Sequence, residues 1–200
     1  MNDRSPEYIR PLLVRIDRLM AERERVLVAI DGGSASGKTT LGELLQNVYG
    51  CPVFHMDDFF LRPEQRTPER FSEPGGNVDR ERFLSEVLLP LREGKTVDYR
   101  RFDCKTFTIA SPRRIEPGRL NIIEGAYAMH PDLAPYYDLT VFLAVSAEKQ
   151  CERILKRNAP AQAELFFDRW IPFEQRYFAA LNVPERCDLT IFLDDQTSVP

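Results

Sequence analysis

Arg25-Val26-Leu27-Val28-Ala29-Ile30-Asp31-Gly32-Gly33-Ser34-Ala35-Ser36-Gly37-Lys38-Thr39-Thr40 is the stretch that decides how this chain folds. Arg25 to Ile30 is a short, β-branched apolar run, as expected of a parallel strand covered on both faces. Gly32 to Thr39 fits the spacing G-x-x-x-x-G-K-[ST]. Glycines let the backbone turn tightly enough for successive N–H groups to converge on phosphate oxygens. A helix beginning near Lys38 would add the positive end of its dipole. Lys38 can reach the β- and γ-phosphates of a nucleotide, and the Thr39 hydroxyl can ligate Mg²⁺. Background composition gives a chance match in roughly one chain in a hundred of this length, and the position between strand and helix reduces that further. Gly32, Gly33, Ser34, Ala35, Ser36, Gly37, Lys38, Thr39 and Thr40 are therefore the candidate nucleotide-binding residues, with ATP and Mg²⁺ as the expected cofactors.

Outward from this loop, Tyr8 to Met20 places Ile9, Leu12, Leu13, Ile16, Leu19 and Met20 at helical spacing on one face. Packing on the chain's own domain is the expectation for that face; a dimer contact could also use it, which leaves a homo-oligomer open. The helix from Lys38 runs to about Val48, followed by a strand over Pro52-Val53-Phe54-His55-Met56. Leu61 to Asn77, rich in Pro, Glu, Arg and Gly, reads as an irregular excursion. Asp79 to Leu91 reads as helix, with Phe83, Leu84, Val87 and Leu88 on one side, and Thr96 to Asp103 as a strand followed by a short extended piece. Leu120 to Glu124, Leu139 to Val145 and Leu189 to Leu193 are further strands. Ser146 to Leu181 is helical, with interruptions expected around Asn158-Ala159-Pro160 and at Pro172. Strands alternating with helices predict an α/β chain: a three-layer α/β/α P-loop NTPase fold with a parallel sheet of about five strands, like nucleoside-monophosphate kinases. The division expected is an N-terminal amphipathic helix, 1–24, before one P-loop domain, 25–200, with a lid at about 153–170.

A hydrophobic share of 43% and a charged share of 29% are those of a globular domain, and the net charge of −4 argues against a nucleic-acid partner. No stretch approaches the roughly 18 consecutive apolar residues of a membrane span. Met1 to Pro6 lacks the basic start and apolar run of a secretory signal. Cys51, Cys104, Cys151 and Cys187 lie far apart, without a Cys-x-x-Cys pair, and read as reduced thiols. The expectation is a cytoplasmic single domain with no membrane partner.

A phosphate cradle is shared by GTPases, motors, kinases and regulators, but no Asn-Lys-x-Asp run of a guanine-selective GTPase is present. Gly32 to Thr40 looks like the cradle of the uridine kinase/phosphoribulokinase family. Met56-Asp57-Asp58-Phe59-Phe60 is similar to that family's Asp-x-Phe-Tyr segment, Asn77-Val78-Asp79 to its Asn-Phe-Asp, and Ile122-Ile123-Glu124-Gly125 to its Phe-Glu-Gly. Cys187-Asp188-Leu189-Thr190-Ile191 resembles the Ala-Asp-x-Ile-Ile that opens its last strand. The resemblance runs from about Val26 to Leu193. One segment departs from it: where uridine kinases carry Tyr-Asp-Phe-x-x-His-x-Arg, this chain has Tyr99-Arg100-Arg101-Phe102-Asp103-Cys104-Lys105-Thr106, without the His and Arg. The resemblance implies an ATP-dependent kinase of a small-molecule hydroxyl. A nucleoside such as uridine or cytidine leads as acceptor; a sugar phosphate, pantothenate or nicotinamide riboside is the alternative within the same chemistry. A nucleotide-binding regulator without transfer chemistry is the rival from another class.

On that reading Asp57 is the candidate base, since a carboxylate beyond a strand's C-terminal end faces the cleft in such folds, with Asp58 as the neighbouring alternative. Glu124 ends an apolar strand, where an acid is costly unless something binds it, and is expected on the metal with Thr39. Asp79 is acceptor ligand or helix N-cap or both, while Tyr99 and Phe102 are expected along the acceptor pocket. Charge over the transferring group is expected from Lys38 and from Arg153 and Arg157 in a mobile lid, with Arg169 reaching the substrate. His55 and His130, isolated in sequence, read as structural. Residues 98–119 hold Arg100, Arg101, Lys105, Arg113, Arg114 and Arg119 against Asp98, Asp103 and Glu116, which is either a solvated hairpin or a pocket for an anionic acceptor.

Overall fold

Every residue of Val26–Gly32 is buried, and alternate side chains face opposite ways: Leu27 and Ala29 enter one hydrophobic cluster, Val26, Val28 and Ile30 another. This period of two, apolar on both faces, makes the run a central strand with a layer on each side. The computed structural model describes residues 6–193. In it Val26–Gly32 (β1) lies in the middle of a five-stranded parallel sheet with Val53–His55 (β2), Leu120–Glu124 (β7), Leu139–Ala144 (β8) and Leu189–Phe192 (β9), in the order β2-β7-β1-β8-β9. Helices cover both faces, which gives the three-layer α/β/α fold expected from the sequence.

The register places Ile30 beside Glu124 and Gly32 beside Leu143. The C-terminal ends of β1 and β7 therefore lie side by side, the usual ligand edge of an open parallel sheet. Arg10–Glu22 (α1) and Lys38–Tyr49 (α2) cover one face, with Ile9, Leu12 and Ile16 fully buried against β1, and the Tyr49 hydroxyl donating to Asp17 at 2.8 Å. On the other face lie Arg80–Phe83 (α4), Leu89–Glu93 (α5), Ile171–Leu181 (α8) and Val183–Arg186 (α9). The remaining helices are Pro68–Ser72 (α3), Ala147–Arg157 (α6), which is bonded to the loop after β1, and Pro160–Leu165 (α7). Among the described residues no helix is long and apolar enough to cross a membrane.

Three local expectations are corrected. Pro172 does not interrupt the C-terminal helix: Phe166–Trp170 forms a π turn that runs into α8, with Pro172 in its first turn. Leu84–Leu88, just before Pro90, does the same between α4 and α5. A proline has no N–H for the carbonyl one turn back, and a widened turn ahead of it absorbs that loss without ending the helix. The strand expected over 96–103 is two pieces, Val97–Tyr99 (β3) and Phe102–Asp103 (β4), paired antiparallel with Arg113–Ile115 (β6) and Thr108–Ile109 (β5). Tyr99 and Phe102 both turn inward while Arg100 and Arg101 between them stay exposed, which breaks the alternation a single strand requires. Within 61–77, expected to be irregular, α3 forms behind a Thr67 N-cap.

Asp31, the last acid before the loop, is fully buried. It accepts from the Gly32 N–H at 2.7 Å, the Met129 N–H at 2.9 Å and the Tyr177 hydroxyl at 2.8 Å, tying β1 to the segment after β7 and to α8. Burial pushes its carboxyl up to about 6 against these donors.

Candidate active site

Gly32 has φ +148° and Gly37 φ +103°, backbone conformations that side chains disfavour, and a Cβ on Gly32 would stand 2.5 Å from the Leu143 carbonyl oxygen. The loop thus turns from β1 into α2, with the Ser34 N–H donating to Glu174 and the Ser36 N–H to the Gly33 carbonyl. Lys38, nearly buried, folds back so that Nζ donates to the Gly32 and Gly33 carbonyls at 2.9 Å each. The first residues of α2 place the Thr39 hydroxyl 3.2 Å from Glu124 Oε1 at the end of β7. Parallel pairing of β1 with β7 brings these two side chains together across 85 residues of sequence.

Glu124 is 5% exposed, and its Oε1 also meets His55 Nδ1 at 2.5 Å. That hydrogen bond raises the imidazole above its ordinary range, with the charges of Asp57 and Asp58 adding to it and burial opposing. His55, read from sequence as an isolated structural residue, is therefore the partner of the candidate metal-linked acid. Asp57 follows β2 in a turn over Met56–Asp58. Its side chain reaches solvent along the cleft, yet the protein mass packed around the carboxyl desolvates it and raises its pKa; Lys38 works against that rise and Glu124 with it. Lys38, Thr39, Asp57, Glu124, Arg153 and Arg157 line one cleft of about 910 Å³.

Tyr99, Phe102, Asp79 and Arg169 lie outside that lining. Tyr99 is 2% exposed, and its hydroxyl donates to Asp58 Oδ2 at 2.7 Å and accepts from the His55 N–H at 3.1 Å. It braces Asp58 from behind and has no face left for an acceptor. Phe102 is buried as well, with the Arg66 guanidinium 5.6 Å from its ring centre. Asp79 is 1% exposed; it caps α4 through the Arg82 N–H and accepts from Arg62 Nε at 3.2 Å, so its N-cap role is the one on view. Arg169 lies over the rings of Phe71, Trp170 and Phe173, at 5.5, 5.0 and 5.9 Å. Arg153 donates to the carbonyls of Ala35, Ser36 and Leu193, bracing the loop from outside, and Arg157 lies 5.6 Å over Phe166. Among the described residues, three of the six cations of the 98–119 stretch are ion-paired: Arg100 with Glu86 at 2.6 Å, Arg101 with Asp58 at 2.8 Å and Arg114 with Asp98 at 3.9 Å.

Several residues of the cleft were missed from sequence, among them Tyr8, Leu44, Leu193 and one acid. Glu174 of α8, 4% exposed, accepts from the Ser34 N–H at 2.8 Å and the Ser34 hydroxyl at 2.6 Å, placing a carboxylate on the cradle itself. Burial raises its pKa, and the Ser34 donors and Lys38 oppose that. The signal was present: Glu174 interrupts the apolar stripe Trp170, Phe173, Tyr177, Phe178, Leu181, where a lone acid needs a partner.

The donor set fits a magnesium-bound nucleotide. Among the described residues no three His, Cys, Asp or Glu side chains group to hold an ion by themselves, and Mg²⁺ in such sites takes one or two protein oxygens, the rest coming from phosphates and water. Thr39 with Glu124 supplies such a pair beside a backbone cradle and a lysine.

Residues 27–162 match the family model described as "Phosphoribulokinase / Uridine kinase family". The chain is 28% identical over 146 residues to uridine kinase-like protein 4 of Arabidopsis thaliana; that match takes in 68% of this chain and 31% of the plant protein, so this chain spans less than a third of it. It is 28% identical over 142 residues to uridine kinase of Staphylococcus haemolyticus, covering 66% of this chain and 68% of that enzyme. The structure titled "Possible Uridine Kinase" from Bacillus stearothermophilus superposes with TM-score 0.64 at 23% identity, over 90% of this chain and 99% of that one, a likeness of fold.

Proposed function

The chain belongs to the phosphoribulokinase/uridine kinase family, and from that premise we propose that it transfers the γ-phosphoryl group of Mg-ATP to a hydroxyl of a small molecule, a nucleoside such as uridine or cytidine leading. The observation that carries this reading is the meeting of Asp57 with Lys38, Thr39 and Glu124 in one cleft. A pure nucleotide binder needs the cradle but has no use for an open carboxylate held beside it.

In the proposed reaction the acceptor oxygen bonds to the γ-phosphorus, the bond from that phosphorus to the ADP oxygen breaks, and Asp57 takes the acceptor's proton. A raised carboxyl pKa suits a base that must take up a proton and release it. Lys38 exchanges the Gly32 and Gly33 carbonyls for phosphate oxygens and stays against the transferring group. Thr39 and Glu124, the latter held by His55, form the protein side of the magnesium site. When bound, the metal neutralises charge on the phosphates.

The test is ADP release by the purified protein with Mg-ATP against nucleosides, sugar phosphates, pantothenate and nicotinamide riboside. Stimulation by uridine or cytidine supports the nucleoside reading, and stimulation by another of these compounds keeps the kinase and replaces the acceptor. ATP binding with no stimulation by any of them would favour a nucleotide-binding regulator.

A further inference from the structure

The cleft that holds the candidate phosphate and metal residues has a second wall, of different chemistry. Tyr8, Leu44 and Leu193 bring aromatic and aliphatic surface to it, and Arg153 and Arg157 bring planar guanidinium groups. Arg153 is fixed at this wall by the carbonyls of Leu193, at 3.2 Å, and of Ala35 and Ser36 in the loop. Tyr8 is close enough to Arg153 that the cation lowers its phenol pKa, against the larger rise from burial. Its position is anchored: the next residue, Ile9, is fully buried, and Tyr8 itself packs half-buried against the core layer formed by α1, α2 and β1.

A guanidinium plane serves phosphates and ring faces alike, but an aromatic ring and two leucines do nothing for a triphosphate. They suit a flat, weakly polar ring system attached to one. The cleft, about 910 Å³, is also at the upper end of what small-ligand sites occupy, with room for more than phosphates. We infer that Tyr8, from the segment preceding β1, forms part of the subsite for the purine base of the nucleotide. The family match covers residues 27–162, so Leu44, Arg153 and Arg157 of this wall lie within it, whereas Tyr8 comes from a part of the chain outside it. The inference rests on the proposal that the loop binds a nucleoside triphosphate. It also alters the expected division of the chain, since residues 1–24 would then supply a residue of the site.

Calorimetric titration of the full-length protein with Mg-ATP and, separately, with Mg-tripolyphosphate tests it. The second probe has the phosphates without the base. Tyr8→Ala is expected to weaken ATP binding roughly tenfold, the size of losing one base–aromatic stack, and to leave tripolyphosphate within about twofold. Tyr8→Phe, which keeps the ring, is expected to bind ATP nearly as the parent does. Leu13→Ala, which trims the helix that directly follows Tyr8 where it packs on the core, controls for destabilisation and should shift neither ligand selectively. Unchanged ATP affinity in Tyr8→Ala, or an equal loss for both ligands, overturns the inference and leaves the phosphate cradle standing. Equal affinity of the parent for ATP and tripolyphosphate overturns the base subsite in the same way. If the parent binds neither, the nucleotide reading itself fails, and the inference with it.

Discussion

The Glu174 carboxylate spans the backbone N–H and the hydroxyl of Ser34, at 2.8 and 2.6 Å, across 140 residues of sequence. An anion thus already sits on a loop built to receive anions. Glu174 belongs to α8, which also carries the Tyr177 hydroxyl to Asp31 at the end of β1, so this helix is fastened both to the loop and to the strand before it. A bound triphosphate brings negative charge into the cleft Glu174 lines, and the two repel in a partly desolvated space.

Glu174→Gln should therefore tighten ATP binding, by about tenfold if one uncompensated unit charge acts through an effective dielectric near 20 over about 12 Å. The amide oxygen can keep the Ser34 N–H, and the Ser34 hydroxyl can turn to accept from the amide. Titration of parent and variant at low and at physiological salt reads the effect, which should shrink as salt rises. Weaker binding by the variant would instead mean that the carboxylate is needed to shape the loop.

Asp57→Asn should lower turnover by roughly a hundredfold or more, the usual scale for removing a positioned base. ATP affinity should stay within about threefold, since the loop, Lys38 and Thr39 are untouched. Initial rates and equilibrium titration on the same preparation separate the two. Undiminished turnover would pass the role to Asp58 or to solvent.

Gly32→Ala and Gly50→Ala make a paired test of the loop's backbone. Both glycines have positive φ, +148° and +64°, but a Cβ at Gly32 meets a backbone carbonyl at 2.5 Å while at Gly50 nothing lies within 4 Å. Gly50→Ala should cost about 1 kcal/mol. Gly32→Ala should cost about 3 kcal/mol or more, because strand β8 must shift to admit it. Thermal melts should rank them in that order, and equal losses would contradict the close approach.

Stability should depend on pH through His130. Burial pushes its imidazole down to about 4, with the Arg80 charge adding, and its Nδ1 accepts from the Asp132 N–H at 3.2 Å, a bond only the neutral ring can make. The unfolded chain protonates this ring near 6.5 and the folded chain resists until about 4. Its contribution is thus complete above about 6.5 and lost as pH falls toward 4. Asp31, raised to about 6, acts in the opposite sense: its contribution is present at low pH and lost as pH rises through 6. Comparing the parent with His130→Gln removes the Asp31 effect, which both proteins share. Denaturant unfolding between pH 4 and 7.5 should show the parent losing more stability than the variant on acidification; parallel curves would refute the assignment.

The strand–loop–helix unit was legible because it is local. A β-branched run, a glycine-spaced turn and a lysine followed by a helix specify their backbone within a few residues of one another. The five sheet strands were legible for the same reason. What escaped were features whose cause lies elsewhere in the chain or in a subtle local balance. The π turns at Leu84–Leu88 and Phe166–Trp170 follow from how a helix accommodates Pro90 and Pro172, and a proline alone reads as a break. Tyr99 looked like a pocket residue because its type and neighbourhood suit one; the packing under Asp58 turned it inward.

Sequence by itself determined that this chain forms a parallel α/β sheet with a tight glycine-spaced loop at the end of its first strand, because both depend on short-range backbone preferences and on the periodicity of apolar residues. Tertiary structure alone decided which side chains share the cleft. Glu124 reaches Thr39 and His55 because β7 is inserted between β1 and β2. Glu174 reaches Ser34 and Tyr8 reaches the wall beside Arg153 because helices far apart in sequence pack onto opposite faces of one sheet. Such meetings are fixed by strand order, register and helix packing, which depend on the whole core at once.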